Sequence, residues 1–227
     1  MLTLAYLLLL PGQIETVDSP TFSKELQTDA VTATVRVVNL SKQTEGSGVV
    51  IGRKGSFVYI LTAYHLVDRA NRLEVTTFSA TSYPKPWKVY RSVRLVAKAD
   101  DMRDLALLRI VTDDPMPGSL SLCPARLVPD GMGFKALTVG CARGEAPTCL
   151  VDEVNGKKLV RRQAADKPAY FWEVDRKQRG GRSGGPLVDR RGYLLGVCSG
   201  TNKEKSYFCH ADDVRAFLKG SGFDWLI

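Results

Sequence analysis

Short apolar runs separated by turn residues recur along most of this chain. Residues 32–39 alternate in polarity and are rich in β-branched side chains; 49–51 and 57–61 are continuous apolar stretches. Residues 73–78, 89–97 and 105–111 extend the series, and residues 115–118, with two prolines and a glycine, interrupt it. The second half repeats the style at 135–139, 148–154, 158–162, 170–174, 186–189, 193–198 and 207–209. Runs of this length with period-two alternation and Gly/Pro punctuation predict β-strands. Gly46-Ser47-Gly48 reads as a turn. Only residues 211–218 predict a helix, with Asp212 and Asp213 at its N-terminal end and Gly220 after it. Strands so numerous and so spaced predict an all-β fold built as β-barrels or a sandwich.

The N-terminus breaks the pattern. Residues 13–24 are polar and aperiodic and read as a linker. Met1 to Leu10 is apolar and too short to span a bilayer, so no integral membrane span is expected. It resembles the apolar core of a secretory signal but lacks a basic flank. The chain thus divides into an N-terminal segment, 1–24, and one domain, 25–227, whose halves meet near residue 118.

Composition narrows the function classes. The net charge is +8 over 227 residues, with basic side chains dispersed except at Arg161-Arg162 and along 176–182. No nucleic-acid-binding motif is present, so the charge is read as a solvated surface and no nucleic-acid partner is expected. The five cysteines show no Cys-x-x-Cys spacing, and no metal site is expected. Cys141 and Cys149 flank a turn, and Cys198 and Cys209 sit near the facing ends of a predicted hairpin. One reading is two local disulfides with Cys123 left over. That requires an oxidising compartment and points to a secreted or periplasmic protein. The other reading is five buried thiols.

Chemistry concentrates in three segments. Ser183 lies within Gly181-Arg182-Ser183-Gly184-Gly185-Pro186, where glycines permit close backbone approach. A serine hydroxyl is a weak nucleophile and needs a base. His65, one of only two histidines, follows the apolar strand Ile60-Leu61-Thr62-Ala63. Asp104 opens the apolar run Leu105-Ala106-Leu107-Leu108 and could orient that histidine. The N–H groups of Gly181 and Ser183 could converge as an oxyanion hole.

In this order, the three segments resemble the trypsin-like (chymotrypsin-fold) serine peptidases, and their HtrA/Deg branch in particular. The shared motifs are Ile-Leu-Thr-x-x-His at Ile60–His65, Asp-Leu-Ala-x-Leu at Asp104–Leu108, and Gly-x-Ser-Gly-Gly-Pro-Leu at Gly181–Leu187. The resemblance implies two six-stranded antiparallel β-barrels and a C-terminal helix. His65 and Asp104 would come from the first barrel and Ser183 from the second, forming a triad that cleaves polypeptide without a cofactor. By family position, Lys177 would lie near the base of a substrate pocket, and Cys198, Ser199, Gly200 and Thr201 would form a pocket wall and the edge that pairs with substrate backbone. Arg176, Lys177, Arg179 and Arg182 would make that region basic, suited to an acidic substrate side chain. Arg182 stands where cleavage-activated trypsins carry an aspartate, so activation by N-terminal cleavage is not expected. No PDZ domain is expected after the peptidase domain.

Two other classes compete. Gly181 to Gly185 also matches the Gly-x-Ser-x-Gly elbow of α/β-hydrolases, but that fold needs its Asp and His after the serine. A trypsin-like fold kept as a non-catalytic binding module with a basic surface is the remaining alternative.

Overall fold

The computed structural model describes residues 13–99, 103–161 and 168–227. The apolar Met1–Leu10 segment, Asp100, Asp101 and Arg162 lie outside the described residues. Among the described residues, no helix is long and apolar enough to cross a membrane.

The first half opens with a helix, α1 (Lys24–Ala33), and builds β1 (Thr34–Asn39), β2 (Thr44–Lys54), β3 (Phe57–Ala63), a one-turn α2 (Tyr64–Val67), β4 (Leu73–Thr77), β5 (Lys88–Tyr90), β6 (Arg94–Ala99) and β7 (Leu105–Val111). The second half builds β8 (Phe134–Gly140), β9 (Thr148–Val160), β10 (Ala169–Val174), β11 (Pro186–Val188), β12 (Leu194–Thr201), β13 (Ser206–His210) and α3 (Ala211–Gly220). Strands β8 to β13 close into the expected six-stranded barrel, in the order β10-β13-β12-β11-β8-β9.

The first half differs from a six-stranded barrel. It is a seven-stranded sheet in the order β5-β4-β1-β2-β3-β7-β6. The apolar stretch expected as one strand at 89–97 is divided at Arg91-Ser92-Val93, and its two pieces pair with opposite edges of the sheet. A flat sheet of that size would hold its edges about 29 Å apart at the usual strand spacing. The chain from Tyr90 to Arg94 reaches only about 14 Å. The sheet must therefore curl into an open half-barrel.

Three other elements depart from the sequence reading. Residues 24–33, expected as linker and strand start, are the helix α1, capped by Ser23 Oγ accepting from Leu26 N at 3.2 Å. Gly46-Ser47-Gly48 is no turn but the interior of β2. The separate strands expected at 148–154 and 158–162 are one long strand, β9.

Packing follows the pleat. In β7, Leu105 and Leu107 face the cluster between the two halves, while Ala106, Leu108 and Ile110 face the interior of the first. Strand β3 divides likewise, with Tyr59 and Leu61 on one side and Val58 and Ile60 on the other. Strands buried on both faces read as continuous apolar runs, which explains the motif-bearing stretches. A third cluster around Trp172, Leu187, Leu195 and Phe208 fills the second barrel.

The cysteine pairing is corrected. All five cysteines are free and buried. Cys209 stands opposite Val197 in the β12–β13 ladder, so Cys198, one residue on, points to the other face. Cys209 packs between the halves and Cys198 inside the second barrel. Cys149 lies opposite Val139, its thiol directed at the Gln27 carbonyl 3.7 Å away. Burial pushes the thiols of Cys141, Cys149 and Cys198 up to about 12. The cysteines thus carry no argument for an oxidising compartment.

Candidate active site

Register brings His65 and Asp104 together. Ala63 pairs with Leu105 at the ends of β3 and β7, so Tyr64 and Asp104 leave the ladder side by side. Tyr64 N donates to Asp104 O at 2.9 Å. The Asp104 carboxylate accepts from His65 N at 2.9 Å and meets His65 Nδ1 at 2.8 Å. Asp104 takes φ +54°, in the left-handed region that aspartate tolerates better than most residues. Its carboxylate is fully buried, whereas the His65 side chain is 37% exposed. Such a pairing fixes the tautomer with a proton on Nδ1 and leaves Nε2 as acceptor.

A third donor comes from the other half. Ser199 Oγ donates to Asp104 Oδ2 at 2.7 Å. The β12–β13 register shifts between Cys198 and Gly200, and a bulge of this kind re-aims the extra side chain. The side chain of Ser199, expected at the pocket wall, is thus turned to the Asp104 carboxylate. Gly200 pairs with Tyr207, and Thr201 is exposed at the end of β12.

The Ser183 loop is held against the first half. Ser183 O accepts from Ser47 N at 2.7 Å, and Ser47 Oγ donates to Gly181 O at 2.8 Å. A Cβ on Gly184, at φ +83°, would collide with Ser47 O and Thr62 Oγ1. Only glycine lets the loop lie this close to β3, three residues before His65. Among the described residues, no hydrogen bond joins Ser183 to His65. Bonds of this kind are often long without substrate and tighten when it binds.

The candidate oxyanion donor at Gly181 is oriented by its peptide plane. Gly180 O accepts from Arg143 N at 2.9 Å. The carbonyl and N–H of a trans peptide point opposite ways, so Gly181 N–H is turned away from Arg143. Among the described residues, neither Gly181 N nor Ser183 N has a hydrogen-bond partner. Gly181 holds φ +92°, and a Cβ there would meet Cys141 O.

Arg182, expected among the basic pocket residues, is instead buried at 2% exposure. Its guanidinium donates to Gln178 Oε1 at 2.7 Å, Thr138 O at 2.7 Å, Thr148 O at 3.1 Å and Gly140 O at 3.2 Å. Burial lowers its pKa. Gln178 passes the contact on to the buried Asp152, which also accepts from Arg176 at 2.5 Å. Both arginines thus brace the second barrel. Lys177 is exposed and lines a shallow hollow. Of the candidate residues, the structure joins His65, Asp104 and Ser199 directly and brings the loop of Gly181 and Ser183 beside them.

The model of the trypsin-like peptidase domain matches residues 46–197. The chain belongs to that family. This trypsin-like domain is 28% identical to the putative serine protease HhoA of Synechocystis over 156 residues, 67% of the chain and 36% of that protein. It is 29% identical over 158 residues to Protease Do-like 1, chloroplastic, of Arabidopsis thaliana, 68% of the chain and 33% of that protein. The trypsin-like domain thus spans about a third of the curated relatives it matches. Among solved structures, Rv3671c from M. tuberculosis H37Rv, in an inactive form, superposes with a TM-score of 0.71 at 21% identity, covering 92% of this chain and 96% of that one. The serine endoprotease from Yersinia pestis gives 0.68 at 21% identity, over 91% of this chain and 68% of that one. The HtrA-like, two-barrel architecture of the trypsin-like domain follows from these matches.

Proposed function

We propose that this chain is a serine endopeptidase domain that cleaves unfolded or extended polypeptide through an acyl-enzyme. Ser183 Oγ attacks the scissile carbonyl while His65 Nε2 takes its proton. Asp104 holds the imidazole by its Nδ1–H and stabilises the imidazolium that forms. The N–H groups of Gly181 and Ser183 donate to the oxyanion of the tetrahedral intermediate. His65 then returns the proton to the leaving amine, the C–N bond breaks, and the acyl group stays on Ser183. Water attacks the ester with His65 again as base, releasing the new carboxylate and restoring the hydroxyl. The scheme calls on no metal or organic cofactor.

The observation that carries this reading is the buried Asp104 carboxylate bonded to a half-exposed imidazole, beside a loop with two unpartnered N–H groups. The relatives described above, a putative serine protease and a Do-like protease, support the same chemistry. The test uses a fluorophosphonate probe and unfolded casein. Wild type should be labelled at Ser183 and should cleave; Ser183→Ala should not be labelled and should lose roughly a millionfold in kcat. A folded wild type that neither labels nor cleaves would sink the proposal.

A further inference from the structure

A hollow of about 510 Å³ opens beside the candidate oxyanion hole, lined by Arg143, Lys177, Gln178, Arg179 and Gly180. Gly180 is the residue before Gly181, and its carbonyl is tied to Arg143 N. The hollow therefore lies across the Gly180–Gly181 peptide from a scissile carbonyl held at Gly181 N–H, one peptide's breadth away and within reach of a neighbouring substrate side chain. Three of its lining side chains are cationic, and all three residues are exposed.

Their charges are unbalanced. Among the described residues, none of Arg143, Lys177 and Arg179 forms an ion pair. Asp152, the buried acid of this barrel face, is already occupied by Arg176, Gln178 and Thr138. Arg182 points inward to the backbone of β8 and β9. The basic loop thus sorts into two arginines that brace the barrel and two cations, Lys177 and Arg179, that join Arg143 at the hollow. Like charges gathered without a counter-ion repel one another, and a bound anion relieves that repulsion. Arg143 is also held at φ +56°, a backbone conformation unfavourable for arginine. Its N–H bond to Gly180 keeps it at the rim.

We infer that Arg143, Lys177 and Arg179 form a subsite for an aspartate or glutamate side chain of the polypeptide substrate, next to the bond to be cut. This rests on the peptidase reading, which supplies the polypeptide. Arginine and lysine on mobile stems attract a carboxylate in water only modestly per pair, so the discrimination comes from all three together.

The first experiment does not need turnover. On the inert Ser183→Ala background, fluorescent peptides that differ only by Glu or Gln are titrated at low salt. The Glu peptide should bind about tenfold tighter, and the margin should shrink as salt rises. Replacing Arg143, Lys177 and Arg179 by Gln together should abolish the margin. Lys177→Glu alone, which leaves the hollow with a single net positive charge, should narrow the margin; among the described residues the Lys177 side chain forms no hydrogen bond or ion pair, so folding is not at issue. Equal affinity for the Glu and Gln peptides overturns the subsite.

A second experiment profiles cleavage of a peptide library by wild type. An acidic residue enriched at one fixed distance from the cut supports the subsite. Acidic residues scattered at every distance, or no enrichment, overturn it, because they indicate diffuse attraction or none. Fluorophosphonate labelling separates the two failures: a labelled enzyme without acidic preference refutes only the subsite. An unlabelled one refutes the peptidase reading, and the Glu/Gln titration still decides whether the hollow binds acid.

Discussion

At the scale of single residues, Asp104 does the most with one group. Its carboxylate accepts from the His65 backbone, the His65 ring and Ser199 Oγ. Asparagine would present an amide where an acceptor is needed and would turn the imidazole to the wrong tautomer. Asp104→Asn should therefore lower kcat by roughly ten-thousandfold with the fold intact, read on a fluorogenic peptide beside a circular dichroism spectrum. His65, Asp104 and Ser183 were legible because each sits in a local motif. The bond from Ser199 to Asp104 was not legible, because the direction of that side chain depends on a bulge, and a bulge is set by the pairing of β12 with β13 rather than by the residue itself. The other histidine, His210, makes a pH prediction. Its ring is buried, and Nδ1 accepts from Asp212 N at 3.1 Å to cap α3, while Nε2 has no partner. Burial, then Lys157, pushes its pKa down to about 4; Asp212 and Asp213 oppose this and Arg215 adds to it. The unfolded chain takes up this proton as pH falls through about 6.5, whereas the folded chain waits until about 4. The stabilisation is complete above that upper value and is lost across the interval as pH falls. Thermal melts from pH 7 to 4 should show the decline, and His210→Asn, which keeps a capping acceptor but does not titrate, should flatten it. An unchanged slope in the variant would assign the decline to other groups.

Among the elements, the loop that carries Ser183 is set by its own buried arginine. Arg182 ties it to the backbones of Thr138, Gly140 and Thr148. Arg182→Met removes those donors, leaves buried carbonyls unpartnered and frees the loop on which both oxyanion N–H groups sit. We expect kcat to fall on the order of a hundredfold with KM little changed, because those groups act mainly on the transition state. A variant impaired in KM alone would show that Arg182 serves binding instead. The charge at this position was legible, but its direction was not, since a loop arginine is far more often solvated than buried. Helix α1 was missed for a related reason. Its buried positions include Gln27 and Thr32, so no clean apolar stripe marks it. The Gln27 amide is consumed by the backbones of Val17 and Phe22, which fastens residues 17–22 to the helix. The strand β7 was legible because burial on both faces leaves an unbroken apolar run. Leu107→Ala should cost about 2–5 kcal/mol in chemical denaturation, since its side chain fills the seam between the halves.

For the whole molecule, the two-half architecture was visible in the spacing of the strands, whereas the state of the cysteines was not. Proximity along the chain suggested pairs, but side-chain direction in a ladder alternates by residue. The five thiols should ignore a thiol reagent in the native protein and all react after denaturation. The melting temperature should be the same with and without reductant; a drop with reductant would reinstate a disulfide. The contact between Ser199 and Asp104 has a consequence in time. These residues lie 95 positions apart and belong to different halves. A ribosome adds residues at about 5–20 per second, so roughly 5–20 seconds separate the appearance of one from the other. A nascent chain holds its base and the acid beside it long before it owns a nucleophile. The hydrolytic chemistry we propose would therefore start only once the second half has folded onto the first. On that proposal, a half-made copy cannot cut its neighbours or itself.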